Sequence, residues 1–327
     1  MKIILAVALS LAGTLVMSHG SAEEKPLLML ERRIPLGEVR GRIDHLAVDL
    51  KRGRLFVAEL ENDTVAVIDL QGHKVIQVIT GLKKPQGLGY HPLTDSLYVA
   101  NGGDGTLAIF TGDGYQPVAR IQLGDDADNI RVDERGNQIL VAYGNGALAM
   151  VNPTTRMKVG DIALKAHPES FQIHHSTNRI FLNDPTNAAI VVVDLATRRQ
   201  LHAWPTGNGS NFPMTINDAA GHVVVGFRDP AKLGAFSMMD GVPVANVDLC
   251  GDTDDMFMDA KRKRIYVSCG EGFLDVIDAQ DRAYRHIGRI ATVAGARTSL
   301  FVPELDLVFI AARATVTEPA SLWVLRP

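Results

Sequence analysis

Short apolar runs separated by turn residues follow one another along the chain. Between residues 41 and 70 the runs "IDHLAVDL", "RLFVAEL" and "TVAVIDL" are rich in β-branched residues and are divided by charged residues, Gly and Asn. Runs of this length that are bounded by turn residues predict β-strands joined by tight hairpins. The opening part of the chain therefore predicts three strands within about thirty residues.

The same strand pattern occurs seven times. The second strand of each copy begins at Arg54, Ser96, Gln138, Arg179, His222, Arg264 and Leu307, so that consecutive copies lie 41 to 43 residues apart. A period in the low forties with four short strands per copy is typical of β-propeller blades. We therefore predict an all-β fold, a seven-bladed β-propeller of four-stranded antiparallel blades.

The two ends of the chain complement each other in this pattern. The seventh copy ends with its third strand, "SLWVLRP" at residues 321–327, whereas "LLMLERRIPLG" at residues 27–37 resembles an isolated fourth strand. We predict that this N-terminal strand pairs with the last blade and closes the ring. Closure removes the open sheet edges that promote aggregation.

The repeats carry a family resemblance. The phrase "LYVAN" at residues 97–101, followed by "GTLAIF" at residues 105–110, resembles the YVTN-type repeats of bacterial propellers. The chain after residue 22 resembles exported proteins of the YncE-like propeller family. That resemblance implies the fold but no particular activity, because a fold does not determine a function.

The N-terminal residues predict export. A short positive start, an apolar core at residues 3–17 and small residues at 20–22 form the pattern of a signal peptide over residues 1–22. The core is short for a membrane anchor, so we expect cleavage, no membrane span afterwards and a single propeller domain over residues 23–327 in the periplasm or outside the cell. A net charge of −4 argues against nucleic acid as a partner.

One register position of the repeat collects polar residues where the innermost strands begin. In chain order it holds Asp44, Gln86, Asp128, Glu169, Phe212, Asp254 and Arg297. Neighbouring positions add His45, Asn129, His167, Asn211 and Asp255. Because innermost strands surround the central channel of a propeller, we predict that these polar side chains form a ligand-binding site around one channel mouth. The alternative is that they only face channel water.

Several functions remain compatible with such a mouth. Convergent carboxylates favour Ca²⁺ or Mg²⁺, with Asp128, Glu169 and Asp254 as candidate ligands, and no other cofactor is indicated. The sequence favours an exported module that binds a small molecule or a protein partner, with no catalytic residue assigned. The alternative is a metal-dependent hydrolase resembling the SMP-30/gluconolactonase propellers, although those enzymes have six blades. A quinone-dependent dehydrogenase is disfavoured because tryptophan occurs only twice.

The two cysteines occupy strand ends of neighbouring copies. Cys250 follows the fourth strand of the fifth copy, and Cys269 ends the second strand of the sixth. Alternating strand directions bring both ends to the same face. An exported protein can oxidise such a pair to a disulfide. Two buried thiols are the alternative.

Overall fold

The strands of this protein form seven four-stranded antiparallel sheets, each with its own hydrogen-bonded order. The description rests on a computed structural model that describes residues 26–144, 146–165 and 167–327. The predicted signal peptide, residues 1–22, lies outside the described residues. The seven sheets are the blades of a β-propeller, so the predicted fold class is confirmed.

Each of blades 1 to 6 consists of four consecutive strands that run from the channel to the rim. Blade 1 contains β2 (Leu46–Asp49), β3 (Arg54–Glu59), β4 (Thr64–Asp69) and β5 (Lys74–Ile79). Blade 2 contains β6 (Pro85–His91), β7 (Ser96–Asn101), β8 (Thr106–Thr111) and β9 (Gln116–Gln122). Blade 3 contains β10 (Ile130–Asp133), β11 (Gln138–Tyr143), β12 (Ala147–Asn152) and β13 (Met157–Ala163). Blade 4 contains β14 (Phe171–His174), β15 (Arg179–Asp184), β16 (Ala189–Asp194) and β17 (Arg199–Pro205). Blade 5 contains β18 (Asn211–Asn217), β19 (His222–Arg228), β20 (Ala231–Ser237) and β21 (Pro243–Asp248). Blade 6 contains β22 (Thr253–Asp259), β23 (Arg264–Cys269), β24 (Phe273–Asp278) and β25 (Arg285–Ala291).

Blade 7 is assembled from both ends of the chain. It contains β26 (Ser299–Val302), β27 (Leu307–Ala312) and β28 (Ser321–Arg326), and its outermost strand is β1 (Met29–Pro35). Strand β1 pairs antiparallel with β28, from Met29 opposite Arg326 to Pro35 opposite Ser321. The predicted closure of the ring by the N-terminal strand is confirmed. Short 3₁₀ turns follow four strands, at Leu60–Asn62, Pro92–Thr94, His175–Thr177 and Asp218–Ala220.

The burial of each strand follows from its place in the blade. The two middle strands are almost entirely buried because both of their faces pack against neighbouring blades, as in β3 and β4. The rim strand β5 alternates exposed and half-buried residues because a sheet edge lies in solvent. Seven hydrophobic clusters of the described residues fill the spaces between adjacent blades. The core is thus a ring of blade interfaces around a channel at the axis.

The innermost strands come very close together around this channel. A Cβ atom on Gly87 would lie 2.0 Å from the carbonyl oxygen of Asp128 in the next blade, so only glycine fits there. This contact brings the polar ends of β6 and β10 together at one face. Among the described residues no helix is long and apolar enough to cross a membrane.

Candidate functional site

Backbone hydrogen bonds direct the first residues of the inner strands to one face of the propeller. The N–H of Asp44 donates to the carbonyl of Ala58, and the N–H of Ala58 donates back to the carbonyl of His45. Equivalent pairs hold Asp128 in blade 3 and Glu169 in blade 4. Because these bonds use only the backbone, the side chain at this position is free to face the channel mouth. The repeated register therefore produces the predicted ring of polar residues.

A cavity of about 180 Å³ opens at this face, and we call it the mouth. It is lined by Arg42, His45, Gln86, Asp126, Asp128, Asn129, His167, Glu169, Ser170, Phe212, Arg228, Asp254 and Arg297. Of the predicted site residues, the mouth brings together His45, Gln86, Asp128, Asn129, His167, Glu169, Asp254 and Arg297. Side chains from all seven blades thus reach one small space.

Asp44 and Asp255 lie next to the mouth rather than in its lining. Asp44 is buried and pairs with Arg42 at 2.8 Å. Asp255 lines the channel below the mouth, where one of its oxygens accepts the N–H of Ser299 at 2.8 Å and the other faces His45. Both carboxylates therefore contribute charge to the mouth from behind its wall.

Asn211, which the sequence predicts as a ligand-binding residue, does not line the mouth. Its side chain is fully buried, and its amide nitrogen donates to Asn183 Oδ1 at 3.1 Å and to the carbonyl of Ala189 at 2.9 Å. The amide therefore ties the start of β18 in blade 5 to β15 and β16 of blade 4. Repeat alignment placed Asn211 at the correct face but could not show that its side chain turns inward.

His45 lies at the junction of the mouth and the channel, because it lines both spaces. Its Nδ1 is 3.4 Å from Asp255, and its Nε2 is 3.7 Å from Asp44 and 4.0 Å from Asp128. Burial opposes charge on this imidazole, but the surrounding carboxylates outweigh it and raise the pKa of His45 to about 10. The imidazolium therefore links carboxylates of blades 1, 3 and 6 across the axis.

The arginines of the mouth are already paired within the protein. Asp254 accepts a hydrogen bond from Arg228 at one oxygen, and its other oxygen forms an ion pair with Arg297 at 2.9 Å. Asp252 accepts from Arg297 at 2.9 and 3.0 Å. The guanidinium of Arg228 also lies 3.5 Å from the centre of the Phe212 ring. We call this part of the site the arginine half, comprising Arg42, Arg228 and Arg297 with Asp44, Asp252 and Asp254. Three positive and three negative groups leave it close to neutral.

The opposite side of the mouth has carboxylates without such partners, and we call it the acidic half. It comprises Gln86, Asp126, Asp128, Asn129, His167 and Glu169. Gln86 donates to Asp126 at 3.0 Å, and His167 Nε2 is 3.8 Å from both Asp126 and Glu169. In the described part of the chain none of these three carboxylates forms an ion pair with lysine or arginine. The acidic half therefore has an excess of negative charge.

Crowding of these carboxylates makes their ionisation costly. Burial raises the pKa of Asp128 well above its ordinary value, and the nearby charges of Asp44 and Glu169 act in the same direction against the opposing effect of His45. Burial likewise raises the pKa of Glu169, with His167 acting against it. The buried Oδ1 of Asp128 has no hydrogen-bond donor among the described residues. A cation placed here would relieve the repulsion.

One of the three predicted metal ligands already has protein partners. Asp254 forms ion pairs with Arg228 and Arg297, and its charge also raises the pKa of the nearby Glu169 carboxyl. Within the described ranges no three His, Cys, Asp or Glu side chains are grouped so as to hold a metal ion.

The sequence reasoning missed Arg42, Asp126, Asp252 and Arg228. The first three share a register with His167, two residues before the predicted ring position. At this point the backbone of Asp126 and Asp252 has positive φ, which marks a tight turn into the inner strand. An alignment of the seven repeats at the position two residues before the ring would have identified Arg42, Asp126 and Asp252. Arg228 ends β19, a place that gives no comparable signal.

The Sγ atoms of Cys250 and Cys269 are bonded as a disulfide, with Cα atoms 5.8 Å apart. The bond lies beside the mouth, because the segment after Cys250 carries Asp252 and Asp254. The N–H of Cys250 also donates to Asp275 at 2.8 Å. The predicted pairing and the structure thus place the same two residues together, and thiol titration remains its chemical test.

Comparison with known proteins supports the architecture. A chain of the hydrazine synthase of Kuenenia stuttgartiensis is similar in structure, with a TM-score of 0.72 and 15% sequence identity, over 94% of this chain and 100% of that chain. At this identity the likeness shows the fold alone. No family model matches the sequence, and no curated protein matches it.

Proposed function

We propose that this chain is an exported binding module of the YncE-like kind whose mouth takes up a small, positively charged ligand. The carboxylates of Asp126, Asp128 and Glu169, which lack a lysine or arginine partner in the described part of the chain, are the observation that carries the proposal. They line a concave space of small-molecule size. The N-terminal pattern and the repeats described above support export and the family relation.

The charge balance of the mouth favours a cation over an anion. Every arginine of the lining is paired with an aspartate, so an anion would have to displace an existing ion pair. The imidazolium of His45 is likewise surrounded by Asp44, Asp128 and Asp255. A cation needs no such displacement, because it meets carboxylates that have no lysine or arginine partner among the described residues. Buried charges are favourable only when they are paired.

The mouth is also suited to binding because its walls are rigid. Backbone hydrogen bonds to the next strand of the blade hold the chain at Asp44, Asp128 and Glu169, just before the inner strands begin. Rigid walls reduce the conformational entropy that a binding site loses when its ligand arrives. A propeller that presents such a mouth does not require moving parts in order to bind.

A thermal-shift screen tests the proposal. We expect small cations to raise the melting temperature of the purified protein, whereas anions and neutral compounds of the same size leave it unchanged, because a ligand that binds only the folded state stabilises it. The double variant Asp128→Asn/Glu169→Gln should lose the response. The variant loses two of the three carboxylates that lack a lysine or arginine partner, which removes most of the attraction between the mouth and a cation.

The control is Glu134→Gln, which removes an exposed carboxylate from the turn after β10, at the end of the inner strand opposite the mouth. This variant should respond to cations as the unmodified protein does. Stabilisation by anions alone, or an equal response of the double variant and the unmodified protein to cations, would contradict the proposed function.

A further inference from the structure

The acidic half presents hydrogen-bond acceptors to the mouth in addition to charge. The three carboxylates supply acceptor oxygens. Gln86 uses its amide nitrogen on Asp126, which leaves its amide oxygen as a further acceptor. A wall of this kind distinguishes ligands by the number of donors they carry. The following inference rests on the proposed function and concerns the chemical class of the cation.

His167 adds an acceptor of defined orientation. Its Nδ1 lies 2.5 Å from the carbonyl oxygen of Gly144. A carbonyl oxygen can only accept, so the proton of this contact is on Nδ1 and the lone pair of the neutral ring is on Nε2. Nε2 is 3.8 Å from both Asp126 and Glu169, which is too far for a hydrogen bond. In the neutral form of the ring, Nε2 is therefore available to a ligand donor.

Asn129 provides an independent indication of a ligand. Its side chain is only 4% exposed, lines the mouth, and makes no hydrogen bond to any other described residue. An amide that lines the mouth without a protein partner keeps its donor and acceptor capacity for a ligand. Its neighbour Asp128 has a buried Oδ1 that accepts no hydrogen bond from the described residues. Both groups are satisfied if a ligand with polar hydrogens occupies the mouth.

We propose that the ligand of the mouth is an organic cation with several N–H donors, a primary ammonium or a guanidinium group. Its N–H groups would bond to Asp128 and Glu169, while His167 Nε2 and the amide of Asn129 take the remaining donors. Charge-assisted bonds of this kind are stronger than neutral ones and are directional. The wall therefore selects both for charge and for donors.

Two other classes of cation fit this wall less well. A metal ion needs several ligand atoms converging at about 2.0 to 2.6 Å, and no group of the described residues provides them. A quaternary ammonium ion has no N–H donor and is usually bound by aromatic faces. The aromatic ring in the described lining, Phe212, is already covered by Arg228.

Isothermal titration calorimetry of the full chain tests the proposal with four probes. These are agmatine, putrescine, tetramethylammonium chloride and calcium chloride, all measured at the same low ionic strength because screening weakens charge pairs. We expect agmatine and putrescine to bind at least about tenfold more tightly than tetramethylammonium and calcium. A single hydrogen bond between an N–H donor and a carboxylate accounts for a tenfold difference in affinity.

The variant Asn129→Ala separates donor recognition from simple attraction between charges. It leaves the net charge unchanged, and the side chain holds no bond within the described protein, so the variant should fold with an unchanged melting temperature. We expect it to weaken agmatine binding about fivefold to tenfold and to leave calcium binding unchanged. Glu134→Gln is again the control with no expected effect.

The outcomes distinguish the inference from the proposed function. Equal affinity for tetramethylammonium and agmatine, or a preference for calcium, would overturn the donor-rich class while leaving cation binding intact. An unchanged agmatine affinity in Asn129→Ala would overturn the role of Asn129. Failure of all four cations to bind would overturn the proposed function itself.

Discussion

At the scale of single residues, His45 has the largest effect on the mouth. Its imidazolium is placed between Asp44, Asp128 and Asp255, which come from three different blades. Without this positive charge Asp44 would keep its ion pair with Arg42, but Asp128 and Asp255 would have no cationic partner among the described residues. His45 therefore stabilises the centre of the propeller and also limits the negative charge that a ligand meets.

This role predicts a specific dependence of stability on pH. The pKa of His45 rises from 6.5 to about 10 on folding, so its contribution is complete below pH 6.5 and is lost as the pH rises through 10. We expect the free energy of unfolding to fall in that window by up to about 1.4 kcal/mol per pH unit relative to His45→Gln. Urea unfolding of both proteins at several pH values measures the difference. A constant difference between pH 6.5 and 10 would contradict the assignment.

The positions of the mouth residues were predictable from the sequence only in part. Repeat register placed Asp128, Glu169 and Arg297 correctly, because the position of a residue along a blade determines the face of the propeller that it reaches. Register could not show that the Asn211 amide turns into the protein or that Arg228 reaches in from β19. Those details depend on side-chain packing between blades, which has no period in the sequence.

At the scale of elements, the connection between β21 and β22 carries both a disulfide cysteine and a residue that pairs with an arginine of the mouth. It contains Cys250 and Asp252 and leads into Asp254, so the disulfide to Cys269 anchors the segment that pairs with Arg297. Both cysteines are fully buried between blades 5 and 6. The bond thus restrains a connection that would otherwise be held only by its hydrogen bonds.

Removal of the disulfide should lower stability measurably. It closes a loop with a sequence separation of 19 residues, for which the loop-entropy model gives about 3 kcal/mol. We expect the double variant Cys250→Ala/Cys269→Ala to lose roughly that amount in urea unfolding. Titration of the denatured, unreduced protein should find no free thiol. Two free thiols, or an unchanged unfolding midpoint in the variant, would show that the bond is absent from the purified protein.

Strands were more predictable than the connections between them. Short apolar runs bounded by turn residues identified the strands of every blade. The middle strands are apolar on both faces because they pack between two neighbouring blades. The connections at the mouth follow no such rule. Their conformation depends on turns with positive φ at residues such as Lys84 and Ser210, and neither residue type requires that geometry.

At the scale of the whole molecule, the ring is joined by residues from opposite ends of the chain. Strand β1 completes blade 7, and the ion pair between Glu31 and Arg326 connects residues 295 positions apart in sequence. Leu28 packs in the cluster between blades 6 and 7 and adds to the closure. Contacts of such long range are slow to form, because the loop-closure entropy must be lost first.

A circular permutant tests whether this closure limits folding. The permutant begins at Glu38 and carries residues 26–37 after Pro327 through two added glycines, so that β28 and β1 form a local hairpin. We expect an unchanged fold, a stability within about 1 kcal/mol of the original, and faster refolding. Stopped-flow refolding measures the rate. Equal or slower refolding at equal stability would show that another step limits the rate.

The place of the mouth residues at the starts of the inner strands has a consequence for how such a protein can change over generations. Backbone hydrogen bonds hold the chain at Asp128, so a substitution beside it, at Asn129, alters the mouth and leaves the hydrogen bonds between strands in place. Asp254, by contrast, pairs with Arg228 and Arg297 of the neighbouring blades and has to change together with them. A lineage with this architecture could move from one ligand to another by single mutations, while the surrounding sheets stay as they are.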